Sequence, residues 1–367
     1  MARTILHDIL AAGVEENASD WHIREGLSVG LRMSGSLAEL DFKTDRAFLE
    51  QAIEQICTDR QKDLFHRTGD ADFAFMEDGL GRFRANLHRQ RGRLAMTLRY
   101  VKAKVAPIDE LMLPKKVHKL AESQRGIIFV TGITGAGKST TLASMIEHIN
   151  DEQTRHIITI EDPIEYSFTD NNSVIEQREV GLDTESFDSA LVHVLRQDPD
   201  VIVIGEMRDK LTFETALAAA ETGHLVLTTL HTTNAHQSIH RILDMYNQTE
   251  RESIRKSLSA NLRAIVCQRL VRRASGKGLV PAVEIMVNSP IVQKLIAEGR
   301  FEKLPDAIEG GMEEGMISFN RSLLKLIQDG AITEEDGLAA SNNAEALRMN
   351  LSGIYLNSDK GSIISSG

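Results

Sequence analysis

A glycine-rich segment stands between a strand pattern and a helix pattern in the middle of the chain. Its eight residues, 132–139, read Gly-Ile-Thr-Gly-Ala-Gly-Lys-Ser. The apolar run 126–131 before them predicts a buried strand, and a helical pattern follows over residues 139–150. This is the arrangement of a phosphate loop, in which glycines let the backbone curl around phosphate oxygens. The segment therefore predicts a strand–loop–helix unit of an α/β domain with a nucleoside triphosphate as its ligand.

The residues of this loop predict how a triphosphate is held. Successive backbone NH groups and the helix N-terminus place partial positive charge around the anion. Lys138 adds a full charge near the β and γ phosphates, and the Ser139 hydroxyl is a ligand for Mg²⁺. The predicted cofactors are accordingly ATP and Mg²⁺. The predicted nucleotide-binding residues are Gly132, Thr134, Gly135, Ala136, Gly137, Lys138, Ser139 and Thr140.

Composition excludes several other classes of protein. The chain has 367 residues, 42% hydrophobic and 26% charged, which is typical of a soluble globular protein of two domains. Its apolar runs, such as 201–204 and 225–230, are far shorter than the roughly 20 residues of a membrane-spanning helix. The N-terminus lacks an apolar signal core, so we expect a cytoplasmic protein without an integral membrane segment. Cys57 and Cys267 are too far apart in sequence for a Cys-x-x-Cys zinc site and are predicted to be buried fillers.

The charge distribution argues against a nucleic-acid partner, with one local exception. The formal net charge is −11, whereas nucleic-acid binding usually needs a basic face. Residues 82–99 nevertheless contain six arginines and no acidic residue. This stretch is either a solvated strand and loop or a set of arginines directed at a phosphate of another domain or subunit. The six are Arg82, Arg84, Arg89, Arg91, Arg93 and Arg99.

Residues 1–101 predict a small α+β domain. An amphipathic helix near Ile5, Ile9 and Leu10 is expected first, and strands are expected at 29–33, 73–75 and 94–101. The segment 102–114, which contains two prolines, is the predicted linker.

Residues 115–356 predict an ATPase domain with a helical C-terminal part. Strand patterns at 127–130, 157–160, 201–204 and 225–229 alternate with helix patterns at 139–150, 186–197 and 211–221. Such alternation predicts a mainly parallel sheet with ligands at the carboxyl ends of its strands. Beyond residue 249 the pattern predicts mostly helix, for example over 250–271 and 290–298. The Ser- and Gly-rich tail 357–367 is predicted to be disordered.

Carboxylates follow two of these strands directly. Strand 157–160 runs into Glu161, and strand 201–204 runs into Gly205 and Glu206. Gly205 stands where many phosphate-loop ATPases carry a metal-binding Asp. We therefore expect Glu206 to position the attacking water or act as the base, and Glu161 to help hold Mg²⁺.

Two histidines bracket the next strand, residues 225–230. At about 3.3 Å per residue His224 and His231 are roughly 20 Å apart, so they cannot share a metal ion. His231, at the carboxyl end, is predicted to sense the γ-phosphate. His224 is predicted to bond a neighbouring chain or loop.

Seven segments make the chain resemble a known family. They are 18–23, 82–84, 131–142, 158–166, 177–181, 203–209 and 221–233. Together they resemble the PilT/PilU retraction ATPases of type IV pili, within the wider family of type II and type IV secretion ATPases. In that family's terms, residues 132–139 are Walker A, 158–165 the Asp box, 201–209 an atypical Walker B and 223–231 the His box.

The resemblance implies a homohexamer with an N-terminal PAS-like α+β domain and a RecA-like P-loop ATPase domain. It implies that ATP hydrolysis powers pilus retraction and twitching motility, at the cytoplasmic base of the pilus against a platform protein of the inner membrane. It also implies arginines of the N-terminal domain that reach the phosphates, best matched by Arg84 and Arg99, with Arg82 and Arg91 as further candidates. The catalytic residues expected are Glu206, Glu161, Lys138, His231, Arg84 and Arg99.

The branch of the family is a separate question. Extension and secretion ATPases commonly carry a four-cysteine motif and extra N-terminal domains, neither of which this chain has, so retraction is favoured over extension or type II secretion. Residues 291–298 depart from the Ala-Ile-Arg-x-x-Ile-Arg motif of PilT-type proteins, and the helical tail is nearer to PilU. That favours an accessory role beside a second retraction ATPase. A regulatory subunit with little turnover stays open, whereas a nucleic-acid motor is disfavoured by the 5% aromatic content and the charge.

Overall fold

Alternating apolar and polar residues build an antiparallel sheet in the first third of the chain. The structure, a computed structural model, describes residues 3–33, 36–101, 104–356 and 363–365. It divides into two units, Met1–Lys104 with Ile164–Ser167, and Val105–Pro163 with Phe168–Gly367. The helices of the first unit are α1 (His7–Glu15), α2 (Arg46–Ile56) and α3 (Asp59–Thr68). Its strands are β1 (Asp20–Arg24), β2 (Leu27–Met33), β3 (Ser36–Thr44), β4 (Asp70–Glu77), β5 (Gly81–Gln90) and β6 (Arg93–Tyr100).

The six strands of the first unit form one sheet in the order β3-β2-β1-β6-β5-β4, with every neighbouring pair antiparallel. One face packs on the helices around Trp21, whose indole Nε1 donates to the Ile9 carbonyl at 3.0 Å. Trp21 also meets the Phe83 ring edge-on, with centroids 5.5 Å apart. In β5 the period of two buries Phe83, Ala85 and Leu87, so the residues between them lie on the opposite, polar face. The expected α+β character is confirmed.

The second unit is built on a mainly parallel sheet of seven strands. The order is β13-β12-β7-β11-β10-β8-β9, and only the β12–β13 pair is antiparallel. The strands are β7 (Gly126–Thr131), β8 (His156–Glu161), β9 (Val174–Glu179), β10 (Val201–Ile204), β11 (Leu225–Leu230), β12 (Leu262–Arg272) and β13 (Leu279–Val287). Their continuous apolar runs follow from burial on both faces, because successive residues enter two separate apolar clusters. The prediction of a mixed α/β fold is confirmed.

Helices follow most strands of the second unit. They are α4 (Lys116–Ala121), α5 (Lys138–Glu152), α6 (Phe187–Val194), α7 (Lys210–Glu221), α8 (Ala235–Leu243), α9 (Arg251–Asn261), α10 (Pro290–Glu298), α11 (Leu304–Gly310), α12 (Phe319–Gln328), α13 (Glu334–Ala340) and α14 (Ala344–Leu351), with a 3-10 turn at Phe301–Lys303. Within the described ranges, none of the helices has the length and apolar character that crossing a bilayer requires. Cys57 and Cys267 are buried free thiols, as expected.

The helix predicted over residues 250–271 is wrong in its second half. Helix α9 ends at Asn261, and residues 262–272 form β12, next to the strand that precedes the phosphate loop. The run Leu-Arg-Ala-Ile-Val-Cys is short, apolar and rich in β-branched residues, a pattern that fits a buried strand as well as a buried helix. The parallel pairing of β12 with β7 decides between the two.

The predicted linker and the predicted disordered tail both contain structure that the sequence pattern did not indicate. In the predicted linker, Ile108 and Leu113 are buried in the core of the second unit. Of the tail predicted to be disordered, residues 357–362 and 366–367 lie outside the described residues. Ile363–Ser365 form β15, which pairs antiparallel with β14 (Ile354–Leu356).

Strand β13 carries a partly buried carboxyl that caps a helix. Glu284 Oε1 accepts the backbone NH of Ala235, the first residue of α8, at 2.8 Å. Burial raises the pKa of Glu284 above its usual range, and the NH of Ala235 and the charge of Arg269 oppose that shift only in part. An acid whose pKa is raised on folding binds its proton more tightly in the native state. Stability is therefore lost as the pH rises from the unfolded pKa through the folded pKa.

We predict that Glu284→Gln removes this pH-dependent loss. The amide oxygen still accepts the NH of Ala235, and no charge remains to be buried. Denaturant unfolding between pH 4.5 and 8 should show the free energy of unfolding of the variant rising relative to wild type as the pH increases. Glu313→Gln, at an exposed position, is the matched control and should follow the wild-type profile. Parallel profiles for Glu284→Gln and wild type would contradict a raised pKa at Glu284.

Candidate active site

The phosphate loop connects β7 to α5 through glycines that no other residue could replace without strain. Gly137 immediately precedes α5 with φ +84°. At Gly132 an added Cβ would lie 2.5 Å from the carbonyl oxygen of Gln268, a contact that forces the backbone to move. The loop therefore needs glycine at Gly132 for close approach and at Gly137 for its left-handed conformation. Thr134 and Gly135 are exposed, whereas Ser139 and Thr140 lie half-buried in the first turn of α5.

Lys138 and Gln268 hold the loop in shape. The Lys138 ammonium is buried and donates to the carbonyls of Gly132 at 2.9 Å and Ile133 at 3.2 Å. Gln268, on β12, donates to the Ala136 carbonyl at 2.6 Å and accepts the Thr141 hydroxyl at 2.8 Å. Ala136, a residue of the loop itself, is buried at this contact.

Sequence reasoning missed Gln268 because residues 250–271 were assigned to a helix. If the apolar run 262–267 is taken as a strand beside β7, the polar residue Gln268 that follows it becomes a candidate for contact with the loop.

Three parallel strands bring the predicted carboxylates and His231 to one edge of the sheet. Strands β8, β10 and β11 are neighbours in parallel register, so Glu161, Glu206 and His231 all lie at or just after carboxyl ends at that edge. Strand β7, which leads into the phosphate loop, pairs with β11. The structure thus gathers the acidic candidates, His231 and Lys138 on one side of the second unit.

Glu206 lies in a cationic environment. Its Oε2 accepts from Arg208 Nη2 at 2.7 Å, and its Oε1 is 3.1 Å from His231 Nε2. The hydrogen bond from Arg208, together with the charges of Arg208, His231 and Lys138, lowers the pKa of Glu206 despite partial burial. The side chain is 23% exposed. Glu206 is therefore an ionised acceptor that water can reach.

Gly205 lies at a crowded position at the end of β10. Its NH donates to the Ile160 carbonyl at 2.8 Å, which draws the two strand ends together. A Cβ at this position would lie 3.3 Å from the Ile160 oxygen and 3.4 Å from the Glu161 Cα. A side chain here would need the neighbouring backbone to shift, and the acidic candidates at these strand ends are Glu206 and Glu161.

Glu161 is oriented by two polar neighbours. Its Oε1 accepts the Thr159 hydroxyl at 2.7 Å and the Gln177 amide at 3.1 Å. Thr159 lies on the same strand and Gln177 on the neighbouring strand β9. Hydrogen bonds of this kind fix a carboxylate in one rotamer, as an oxygen ligand of a cation requires.

His224 lies at the opposite end of β11 and bonds its own neighbourhood. Its Nδ1 is 2.9 Å from the Ala219 carbonyl and 3.2 Å from the Thr222 hydroxyl. Ala219 lies in the last turn of α7, and Thr222 directly follows that helix. Within this chain, His224 thus makes a local contact that closes this helix, and its bond to a neighbouring chain stays a prediction.

The first unit gathers two of the predicted arginines on the polar face of its sheet. Arg84 and Arg99 are directly paired across β5 and β6, and Arg99 Nε donates to Asp20 Oδ1 at 2.7 Å. Arg82, two residues before Arg84, lies on the same face. Arg91 is in the turn at the other end of this hairpin, about 23 Å from Arg84 at 3.3 Å per residue, so it does not join them.

A cavity of about 210 Å³ opens beside this arginine pair within the first unit. The segment Ile164–Ser167, which follows the strand-end carboxylates in sequence, is part of this unit. The sequence pattern predicts this segment to be part of the ATPase domain, 115–356. The lining residues are Arg84, Arg99, Tyr100, Val101, Glu165 and Tyr166.

Comparison with known proteins gives a consistent result. The sequence profile described as "Type II/IV secretion system protein" matches residues 92–298. The "Type IV pilus ATPase PilU" of Pseudomonas aeruginosa is 39% identical over 343 residues, which is 93% of this chain and 90% of that protein. The "Type IV pilus retractation ATPase PilT" of the same organism is 37% identical over 330 residues, 90% of this chain and 96% of the relative.

A solved structure extends the similarity to three dimensions. It is described as the pilus retraction motor PilT with bound ADP and superimposes with a TM-score of 0.85 at 42% identity. The match covers 93% of this chain and 98% of that one. The phosphate loop, the strand-end carboxylates and these similarities place the chain in the type II/IV secretion ATPase family, beside its type IV pilus members PilT and PilU.

Proposed function

We propose that this protein is a Mg²⁺-dependent ATPase that assembles as a homohexamer and powers the retraction of type IV pili and so twitching motility. It works in the cytoplasm at the inner-membrane base of the pilus, against a platform protein. The observation that carries the proposal is the ionised Glu206 on the same sheet edge as a phosphate loop with a buried lysine. The similarity to pilus ATPases over nearly the whole chain supports pilus retraction as the process that ATP hydrolysis drives.

The chemistry we propose is in-line attack of water on the γ-phosphate of ATP. Glu206 orients the water through its partly exposed carboxylate, and His231, 3.1 Å away, senses the γ-phosphate. Lys138 and the loop NH groups stabilise the charge that develops on the phosphate oxygens. The carbonyls of Gly132 and Ile133 hold the Lys138 ammonium at the loop, so it needs little reorganisation to meet a phosphate.

The residues present fit a bound Mg²⁺. Ser139 offers a hydroxyl in the first turn of α5, and Glu161 offers an oriented carboxylate, directly or through water. Both are hard oxygen donors, and Mg²⁺ is usually held by one or two such protein ligands together with water and substrate phosphates. When bound, the ion would neutralise charge on the β and γ phosphates.

We further propose that Arg84 and Arg99 supply charge-assisted contacts to the phosphates, with Arg82 as a supporting group. Their pairing on one polar face and the cavity beside them support this role. In domain terms, we propose a PAS-like domain over residues 1–101 and a RecA-like domain with a helical extension over 115–356. The connecting segment 102–114 contributes Ile108 and Leu113 to the core of the second unit, and Ile164–Ser167 is grouped with the first unit.

An accessory, PilU-like role beside a second retraction ATPase is the second candidate. It is favoured by α10, where residues 291–298 read Ile-Val-Gln-Lys-Leu-Ile-Ala-Glu and contain no arginine. In this form the protein turns over ATP but retracts pili only together with its partner.

The test combines biochemistry with a motility assay. We expect the purified full chain to hydrolyse ATP only with Mg²⁺ and to give a hexamer mass by light scattering. A strain lacking the gene should lose twitching and regain it with the wild-type gene. Restoration that also requires a second retraction ATPase would assign the accessory role. A hexamer that binds ATP without turnover would instead identify a regulatory subunit, and defective pilus assembly in the deletion strain would identify an extension ATPase.

A further inference from the structure

Two histidines face each other on α8, outside the residues assigned to ATP. His236 and His240 are four residues apart, which places them on one face of the helix. Their Nε2 atoms are 3.1 Å apart, and the rings meet nearly at right angles, at 87° with centroids 4.6 Å apart. His240 is exposed and His236 half-buried, so cations in solution can reach the pair.

Hydrogen bonds at the start of α8 and one ring contact hold the two histidines in place. Asn234 caps α8 by accepting the NH of Gln237 at 2.8 Å, and Glu284 accepts the NH of Ala235. The His240 ring also meets the Phe301 ring edge-on at 5.0 Å, which restricts its rotamer. The two imidazoles therefore need little ordering before they can act together.

We infer that His236 and His240 form a bidentate site for an imidazole-preferring transition-metal cation such as Zn²⁺, Ni²⁺ or Cu²⁺. With metal–nitrogen bonds of about 2.0–2.1 Å, two ligands on one ion lie about 2.9 Å apart at a right angle and about 3.4 Å apart at the tetrahedral angle. The observed 3.1 Å lies between these values. Two histidines at i and i+4 on a helix are a recognised chelating arrangement.

A metal ion can bind the two imidazoles without release of a proton to solvent. In the free protein, one Nε2–H donates to the other Nε2. Metal binding requires only that this donor move its proton to Nδ1, leaving two neutral imidazoles with free Nε2 lone pairs. Burial and the neighbouring His240 lower the pKa of His236.

The remaining coordination positions would be taken by water. Glu302, in the 3-10 turn, favours a positive charge near His236. In the described part of the chain, however, no three His, Cys, Asp or Glu side chains are grouped to hold a metal ion. The site is thus open to solvent and has two protein ligands. Its selectivity among metal ions comes from the preference of imidazole nitrogen for transition metals and not from the size of a closed cavity.

A second histidine pair in the same unit provides the control. The rings of His118 and His148 are equally close, with centroids 4.7 Å apart. Their Nε2 atoms are instead directed at Asp109, at 3.1 Å, and Glu122, at 3.2 Å. Similar ring proximity without converging nitrogens should not create a chelate.

The experiment is a Zn²⁺ titration of the full chain, prepared without a histidine tag, treated with chelator and kept free of nucleotide. We expect one ion per chain, and His240→Gln should weaken binding at least ~10-fold, since even groups behind the ligands typically contribute 10–100-fold. Cu²⁺ electron paramagnetic resonance should show two coupled nitrogens in wild type and one in His240→Gln.

His148→Gln should leave both results unchanged, and unaltered Mg²⁺-dependent ATP turnover will show that the variants are folded. Wild-type affinity in His240→Gln, or equal losses in His148→Gln, would overturn the assignment.

Discussion

Glu206→Gln is expected to bind ATP about as well as the wild type and to hydrolyse it roughly 10³-fold more slowly, within the range that a positioned general base contributes. The substitution keeps the size of the side chain and its hydrogen bond to Arg208 but removes the carboxylate that orients water. Binding persists because the phosphate-binding groups, Lys138 and the loop amides, are unchanged. Steady-state ATP turnover and equilibrium titration with a fluorescent ATP analogue measure the two quantities separately.

The control for this prediction is another glutamate of the same unit. Glu214 lies exposed on α7, with a weak ion pair to Lys210 at 3.8 Å. Glu214→Gln should turn over ATP at the wild-type rate, which excludes a general effect of losing one negative charge. Near-normal turnover by Glu206→Gln would remove Glu206 from the catalytic role and direct attention to Glu161.

The parts of this site that could be predicted from sequence are those whose determinants are local. The phosphate loop needs only its own glycines and Lys138 between a strand and a helix, so the motif and its context were both readable. Glu161 and Glu206 could be placed together because the carboxyl ends of parallel strands share one edge of the sheet. Neither inference required knowledge of distant contacts.

The parts that could not be predicted depend on pairing between distant segments. Gln268 supports the loop from a strand 132 residues after Ala136, and only the β12–β7 pairing reveals it. The ion pair of Arg99 with Asp20 likewise joins residues 79 positions apart through the β1–β6 register. An arginine-rich stretch shows charge, but the hairpin register decides that Arg84 and Arg99 meet while Arg91 does not. A short apolar run carries no information about which strand it will join.

Lys138→Ala should abolish measurable ATP binding. The substitution removes the full positive charge of the loop and leaves the carbonyls of Gly132 and Ile133 without their donor. Charge-assisted hydrogen bonds contribute about 1.5–3 kcal/mol each, so losing those to two phosphates should lower ATP affinity at least ~100-fold. Equilibrium titration with the same fluorescent ATP analogue measures the loss.

Lys119→Ala is the matched control for this substitution, because Lys119 is an exposed lysine on α4 of the same unit. It should bind ATP like the wild type. Thermal melts of both variants should show intact folding, since the apolar residues of α5 still pack on the sheet. A folded Lys138→Ala protein with wild-type ATP affinity would mean that the loop is not the nucleotide site. Hydrolysis would then need another centre, and the motor function proposed from Glu206 would fail with it.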